Sequence, residues 1–459
     1  MENEQIERPG DVNIDELSIQ NDFGERIDLT LAQVTEINLY ESVFAPCLFG
    51  QLQVVDADGF IEEFPIIGGE VLTINLRTKT FPTDSSSIIY KSFIITAIEN
   101  RSLSSGDREQ QYVLNFMSAE GINDANSTIN QSLPGGGDED AFNTAKIARK
   151  IFDEFIALVP RIWDEKDPSE LTIGDAHESN IQYVSNGWSP FQNMNYLCQN
   201  IKEAETGGAD NVFYESNKQF YLTSIQGLIK KQGDNIFDDY LVEGTTRQER
   251  DSSYDYYTRD LMTNGFNVID ELIIPKTIDL LEGSNNGYHA SNVQAYDLFT
   301  KTKTIKSFDI VDDFPSEVHT DTGIPVPGHT VRNPETYTNF KILNGSTYYG
   351  IPSGIFDKGN KTSEDKWVGH NMRRQSYFKS FNNYTFEIKV PGRTDIEVGV
   401  MVNLEYPSAQ TGNKSKKDEI LSGKYLTTAI HHKVNITDGH TMKMEIVKNG
   451  LGLSLARET

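Results

Sequence analysis

Four stretches near the end of the chain, residues 384–391, 400–406, 425–434 and 441–447, carry apolar side chains at alternate positions. The first alternates Tyr384, Phe386, Ile388 and Val390 against Thr385, Glu387 and Lys389. The second alternates Val400, Val402 and Leu404 against Met401, Asn403 and Glu405. Period two sends successive side chains to opposite faces of an extended backbone, so each stretch is predicted to be a strand with one face on a core. Ile388 and Leu404 should then be buried. Pro391-Gly392 and Thr394-Asp395 supply a turn, and Gly399 opens the next strand. The expectation is a small antiparallel barrel or sandwich over 381–450 with no catalytic residue type at its core. Such an ending suits a chain that binds and builds.

The beginning reads the same way. Residues 1–24 are polar and acidic and are expected to be extended or partly disordered. From Ile27 to Phe116, six strands are marked by Leu29 and Leu31, Ile37 and Leu39, Leu52 and Val54, Ile74 and Leu76, Phe93 and Ile95, and Val113 with Leu114. Turns fall at Asp58-Gly59, Gly68-Gly69, Pro82 to Ser87 and Ser105-Gly106. A first β-barrel over 25–120 is predicted.

After Pro134-Gly135-Gly136-Gly137 the period changes. Ala145, Ala148, Ile151, Phe152, Phe155 and Ile156 share one helical face that ends before Pro160. A second helix begins at Ser189, with Pro190 at its first position and Gln192 completing a capping box. Phe191, Met194, Leu197, Cys198 and Ile201 form its buried face, and Gly207-Gly208 end it. A hairpin around Ser216-Asn217-Lys218 follows. Residues 121–230 are read as an α+β peripheral domain. Residues 231–380 are read as a β-rich insertion and part of the second barrel, with short strands at 305–311, 340–343 and 348–351. Tyr254-Asp255-Tyr256-Tyr257 is an edge strand or contact patch. Residues 451–459 form a C-terminal tail. The fold class is mainly β with an α+β insertion: two similar antiparallel barrels plus peripheral domains. Gly69-Glu70-Val71 and Gly399-Val400-Met401 each open a strand ending in Asn-Leu, a faint internal repeat.

A chain of 459 residues exceeds one compact core. It has no run of 18 apolar residues, so no membrane-spanning helix or membrane anchoring is expected. Met1-Glu2-Asn3-Glu4 is acidic where a secretory signal would be basic and then apolar, which predicts use without export. Cys47 and Cys198 are far apart in sequence and are read as two buried, reduced thiols. The net charge of -27 argues against nucleic-acid binding as the main function, because such a surface repels phosphate backbones.

Signatures of chemistry are incomplete. Gly135-Gly136-Gly137 precedes a helix carrying Lys146, but Asp138, Glu139 and Asp140 follow where a phosphate loop needs Lys-Ser/Thr. Asp56, Asp58, Glu62 and Glu63 resemble part of a calcium loop, yet Phe60 replaces the third acidic position and the glutamates come too early. His431 and His432 are adjacent on a strand and face opposite ways, which suits no shared ion. His177 with Asp175 and Glu178 lies in a polar loop, where a solvated cluster is the commoner outcome. No Gly-x-Ser-x-Gly elbow occurs. Paired carboxylates for glycoside hydrolysis stay open, because 68 acidic residues make pairs inevitable. No catalytic, cofactor or metal residue is assigned, and no enzyme is expected.

Two sets of residues carry a resemblance. Pro391-Gly392-Arg393-Thr394-Asp395, Gly399, Leu421-Ser422-Gly423-Lys424-Tyr425-Leu426 and His431-His432 look like the closing module of baseplate central hubs of contractile-tailed, T-even-type phages. These hubs are related to the base of type VI secretion spikes. Ser42, Pro46, Gly50-Gln51-Leu52, Asp56, Glu63, Pro65-Ile66 and Gly69-Glu70-Val71 resemble the first barrel of the same hubs. The resemblance covers the first ~120 and last ~80 residues, with a fainter match from Ser179 to Tyr221. It implies a homotrimer that joins the tail tube, or a tube initiator, above to a trimeric spike below. Baseplate wedge proteins and a tape measure protein would be its other partners. DNA would pass through its channel without specific binding, in a virion baseplate assembled in the host cytoplasm. A virion cell-wall hydrolase and the base of a bacterial injection spike are the rival readings. The spike family usually continues into a needle, whereas this chain stops at Thr459.

Overall fold

The computed structural model describes residues 9–30, 32–57, 59–79, 87–103, 109–133, 143–157, 169–174, 183–201, 208–232, 238–242, 266–297, 301, 303–326, 332–343, 372–408, 418–435 and 437–452. The Gly135–Gly137 loop with Asp138, Glu139 and Asp140, the Asp175/His177/Glu178 cluster, Asp58, the Tyr254–Tyr257 patch and the strand expected at 348–351 lie outside these residues.

The chain opens with β1 (Val12–Gln20), β2 (Arg26–Asp28), β3 (Val34–Ser42), β4 (Phe49–Asp56), the turn of helix α1 (Phe60–Glu63), β5 (Val71–Thr78), β6 (Ile88–Leu103) and β7 (Gln110–Ser118). β1 falls inside the segment expected to be extended or partly disordered. It pairs antiparallel with β5 along its length and buries Leu17 and Ile19. Its alternation is hard to read because the register shifts between Ile14 and Glu16, so Val12 and Ile14 are out of phase with Leu17 and Ile19.

Next come α2 (Ala119–Asn126), β8 (Ser132–Leu133), α3 (Thr144–Ile151), β9 (Leu171–Ile173), β10 (Tyr183–Val184), α4 (Pro190–Asn200), β11 (Asn211–Glu215), β12 (Phe220–Ser224) and α5 (Ile225–Gln232). The capping box forms as predicted: Ser189 Oγ accepts the Gln192 N–H at 3.3 Å and Gln192 Oε1 accepts the Ser189 N–H at 3.1 Å. Ile147, Ile151, Phe152, Met194, Leu197 and Phe220 belong to one separate apolar core.

The last group is β13 (Asp238–Val242), β14 (Val268–Ile269), β15 (Glu271–Lys276), β16 (Ala290–Asp297), β17 (Lys303–Asp309), β18 (Thr338–Leu343), β19 (Tyr384–Pro391), β20 (Met401–Glu405), β21 (Gly423–Asn435) and β22 (Gly439–Lys448). β16, β17 and β18 make a small sheet of their own. Ile388 and Leu404 are 1% and 0% exposed, as the alternation requires.

The molecule is mainly β. Its two barrel-like regions are not separate: fourteen strands belong to one sheet with the order β14-β13-β20-β21-β3-β4-β7-β6-β5-β1-β2, from which β22, β19 and β15 branch at β21. Among the described residues the sheet is not closed into a barrel. Most pairs are antiparallel, but β13 pairs parallel with β14 and β20. Two large apolar clusters sit on it, one around Ile37, Leu52, Leu72 and Phe93 and one around Phe386, Ile388, Leu404 and Ile430.

Candidate functional site at the seam between two repeats

The sheet contains the same pattern twice. In the first copy Val71 pairs with Ile94, Ile94 with Met117 and Ile95 with Phe116. The register then shifts and resumes at Ala97–Asn115 and Ile98–Leu114. In the second copy Met401 pairs with Leu426, Leu426 with Val447 and Thr427 with Ile446, and after the same shift Ala429 with Glu445 and Ile430 with Met444. β5-β6-β7 thus matches β20-β21-β22, bulge included.

The match extends outward. Gly50–Phe116 and Leu52–Leu114 correspond to Phe386–Ile446 and Ile388–Met444, and Ile37–Leu52 corresponds to Leu272–Ile388. The glycines noticed in the sequence hold equivalent places. Gly69 donates to Ile95 O and Gly399 to Thr427 O, both at 2.8 Å and both at positive φ (106° and 84°), where a side chain would be strained. The Asn-Leu endings do not correspond, since Leu404 matches Ile74 rather than Leu76. The copies differ at their edge, where β1 is antiparallel to β5 but β13 is parallel to β20.

The copies meet where β21 pairs antiparallel with β3, from Ala429–Ser42 to Asn435–Glu36. On one side of this seam His431 Nε2 is 2.7 Å from Asn38 Oδ1 and its ring stacks on Tyr40. Burial, with the charges of neighbouring His432, Lys443 and Lys433, lowers the His431 pKa to about 4. On the other side His432 is fully buried, with Nε2 3.1 Å from Glu41 Oε1 and Nδ1 3.1 Å from His440 Nε2. The two adjacent histidines do face opposite ways. The His432–His440 pair escaped the sequence reading, although a turn at Asp438-Gly439 puts both on one face of a hairpin. Burial drives the His440 pKa well below its ordinary value.

The Pro391–Asp395 turn, conspicuous in the sequence, lies at the same joint. The Thr394 N–H donates to Thr78 Oγ1 at 3.0 Å and the Thr78 N–H to Thr394 Oγ1 at 3.1 Å. Arg393 forms a two-bond ion pair with Asp395 at 2.7 and 2.8 Å. Gly392 lies flat against His440, where a Cβ would come within 2.1 Å of the ring.

The tip of the β11–β12 hairpin locks the seam from outside. Glu215 accepts from Leu48 N–H at 2.9 Å, Ser118 Oγ at 2.5 Å and Lys91 Nζ at 2.8 Å, all from the first copy. Ser216 Oγ donates to Glu397 of the second copy at 2.7 Å. Asn217 binds both, its N–H to Glu41 and its side-chain amide to Ile396 O. Burial pulls the Lys91 pKa down, but Glu215, with Glu120 and Glu41 beyond it, leaves it raised. Burial raises the Glu397 and Glu120 carboxyls, Glu215 adding to the latter.

The other sequence candidates have structural roles. Asp56 accepts the N–H groups of Phe60 and Ile61 at 2.8 and 3.0 Å and so caps α1, while Glu62 and Glu63 are exposed. Among the described residues no group of three or more His, Cys, Asp or Glu is placed to hold a metal ion. Cys47 and Cys198 are unpaired, and burial pushes both thiols up to about 12. A cavity of about 590 Å³ beside α4 is lined by Phe44, Phe191, Cys198 and Arg374, and Arg374 is committed to the carbonyls of Cys198, Ala209 and Asn211. No described helix is long and apolar enough to cross a membrane.

No family model matches the chain, and no curated protein matches it. Solved structures do. A tail protein from Neisseria meningitidis MC58 aligns with a TM-score of 0.50 at 9% identity, over 95% of this chain and 97% of that one. The 43 kDa tail protein of prophage MuSo2 from Shewanella oneidensis aligns with the same score and identity, over 95% of this chain and 100% of that one. The chain therefore has, along nearly its whole length, a fold similar to that of these two tail proteins.

Proposed function

We propose that this is a structural tail protein, the central hub of a contractile phage-type baseplate. Each chain would contribute its two sheet units, the tube-type domains expected over 25–120 and 381–450, to a homotrimeric ring. Three chains of two copies supply six similar units. A six-unit ring can meet a hexameric tube above, while its true three-fold axis meets a trimeric spike below. Wedge and tape measure proteins would contact the same assembly, and DNA would cross its channel.

The observation that carries this reading is the repeat itself, two sheet units with one register and one bulge in a single chain. The seam residues support it, because groups such as Glu41, His432, Thr78 and Thr394 join the copies rather than face a substrate. Likeness to tail proteins adds the fold. Electron microscopy of the purified protein tests it: a three-fold ring with a central hole is expected, and a homogeneous monomer at micromolar concentration would refute it. Turnover on peptidoglycan by the isolated chain would favour the hydrolase reading instead.

A further inference from the structure

The cavity of about 590 Å³ lies where α2, the turn after β3, α4 and β11 meet the helix over 372–380. Its volume is that of an ordinary ligand pocket. Phe44, Phe191, Phe213 and Phe378 give it an aromatic wall. Phe44 and Phe378 meet edge to face at 5.9 Å, and Phe44 is still 53% exposed. Rings held in this way offer contact area to an apolar side chain.

Two polar groups in the wall are unmet. Arg374 stands 4.6 Å from the centre of the Phe378 ring. Its Nη1 donates to the carbonyls of Cys198, Ala209 and Asn211, but among the described residues its Nε and Nη2 have no acceptor and no carboxylate pairs with it. Burial lowers the Arg374 pKa, with the charge of Asp210 opposing, and Asp210 is itself taken up by Gln226 at 2.8 and 3.0 Å. Asn211 is fully buried. Its Nδ2 donates to Ile201 O at 2.9 Å, whereas its Oδ1 has no hydrogen-bond partner among the described residues. The 2.8 Å bond from Arg374 Nη1 to Asn211 O sets the guanidinium beside the residue that carries this orphan acceptor. A desolvated charge and a buried acceptor are both costly to leave unmet. The cavity's acid, Asp124, is already spent: it caps α4 by accepting the Phe191 N–H at 2.5 Å, about 10 Å along the helix from Cys198. The Arg374 end therefore carries positive charge without a counter-ion.

We propose that this cavity receives the C-terminal residue of a partner polypeptide, one that ends in an aromatic or large aliphatic side chain. The terminal carboxylate pairs with Arg374, whose planar fork suits two parallel bonds to it. The amide N–H of the same residue donates to Asn211 Oδ1, and the side chain packs against Phe44 and Phe378. A chain end is the ligand that carries a carboxylate, an N–H and a side chain on one carbon. A side-chain carboxylate sets the first two farther apart, and a fatty acid has no N–H. The site lies within one chain, so it stands or falls apart from the hub reading.

Fluorescence anisotropy of the full chain with a fluorescein-labelled tetrapeptide ending in phenylalanine is the test. The free acid should bind saturably, and amidating its C-terminus should weaken binding by about tenfold or more, the loss of a charge-assisted pair. Phe44→Ala should weaken the free acid by about tenfold with an unchanged melting temperature, since that ring is half-exposed. Phe23→Ala, at an exposed ring in the β1–β2 turn, should bind like the parent. Arg374→Met should bind acid and amide alike; if it fails to fold, Phe44→Ala and the amidated peptide still decide. 3-Phenylpropionate, which has the ring and the carboxylate but no N–H, should displace the peptide only at a concentration about tenfold higher than N-acetylphenylalanine requires. Equal displacement would make this a site for small carboxylates and overturn the chain-end assignment. No binding of the free acid up to about 1 mM, or equal binding of acid and amide to the parent, would overturn the site itself.

Discussion

Val434 belongs to the second repeat but lies in the apolar core of the first, opposite Ile37 across the β21–β3 ladder. The two sheet units are therefore not independent. Their shared strand means that a defect in one core reaches the other.

Val434→Ala should cost about 2 kcal/mol, the transfer and cavity terms for two lost methyl groups. Leu404→Ala, deeper in the second core at 0% exposure, should cost about 2–5 kcal/mol. Both variants should shift one common thermal transition of the sheet. A two-step melt in which Val434→Ala moves only the later residues' transition would show that the seam does not couple the units.

Glu215 binds Lys91, Ser118 and Leu48 from a hairpin of the peripheral domain. Truncating one partner of a buried ion pair strands the other, so Glu215→Ala should destabilise by about 3–5 kcal/mol. Adding Lys91→Met should recover part of that loss, since the uncompensated ammonium is gone. Limited proteolysis should release the peripheral domain earlier in the single variant. Unchanged cleavage would mean that the hairpin is held mainly by Asn217 and Ser216.

Much of this was legible because alternation reports burial directly. The strands around Ile388 and Leu404 and the Ser189 capping box form where the residues put them. β1 was obscured by its bulge, which reverses which parity faces inward. The repeat was visible only at Gly69 and Gly399, where backbone conformation restricts the residue; elsewhere only register is shared, and register leaves little trace in side-chain identity. Glu41, His432 and Glu215 could not be read as a seam, because their partners across it are 97 to 391 positions away in sequence.

Acid should weaken the seam through His440. Its folded pKa is depressed, so an unfolded chain takes up a proton near pH 6.5 that the folded one refuses. The stability it contributes is present above pH 6.5 and is lost as pH falls from there towards the folded value. Glu120 and Glu397 act oppositely, since their raised carboxyls favour folding at low pH. Comparison with His440→Gln removes that background. The gap in melting temperature between the two proteins should be constant from pH 7.5 to 8.5 and should narrow at pH 5; a gap that widens there would reverse the argument.

The proposed channel makes a demand on charge. DNA must cross it without being held, and a wall of Lys and Arg would release counterions and grip each phosphate. With 68 acidic residues against 41 basic ones, an acidic or neutral wall is the easier arrangement. An acidic wall also disfavours DNA at rest without anchoring it in transit. The purified protein should therefore leave the fluorescence anisotropy of a labelled duplex unchanged, even at about 20 mM salt, where screening is weakest. Binding that appears at low salt and falls steeply with added salt would reveal a basic band, and passage without holding would have to be abandoned whatever the ring looks like.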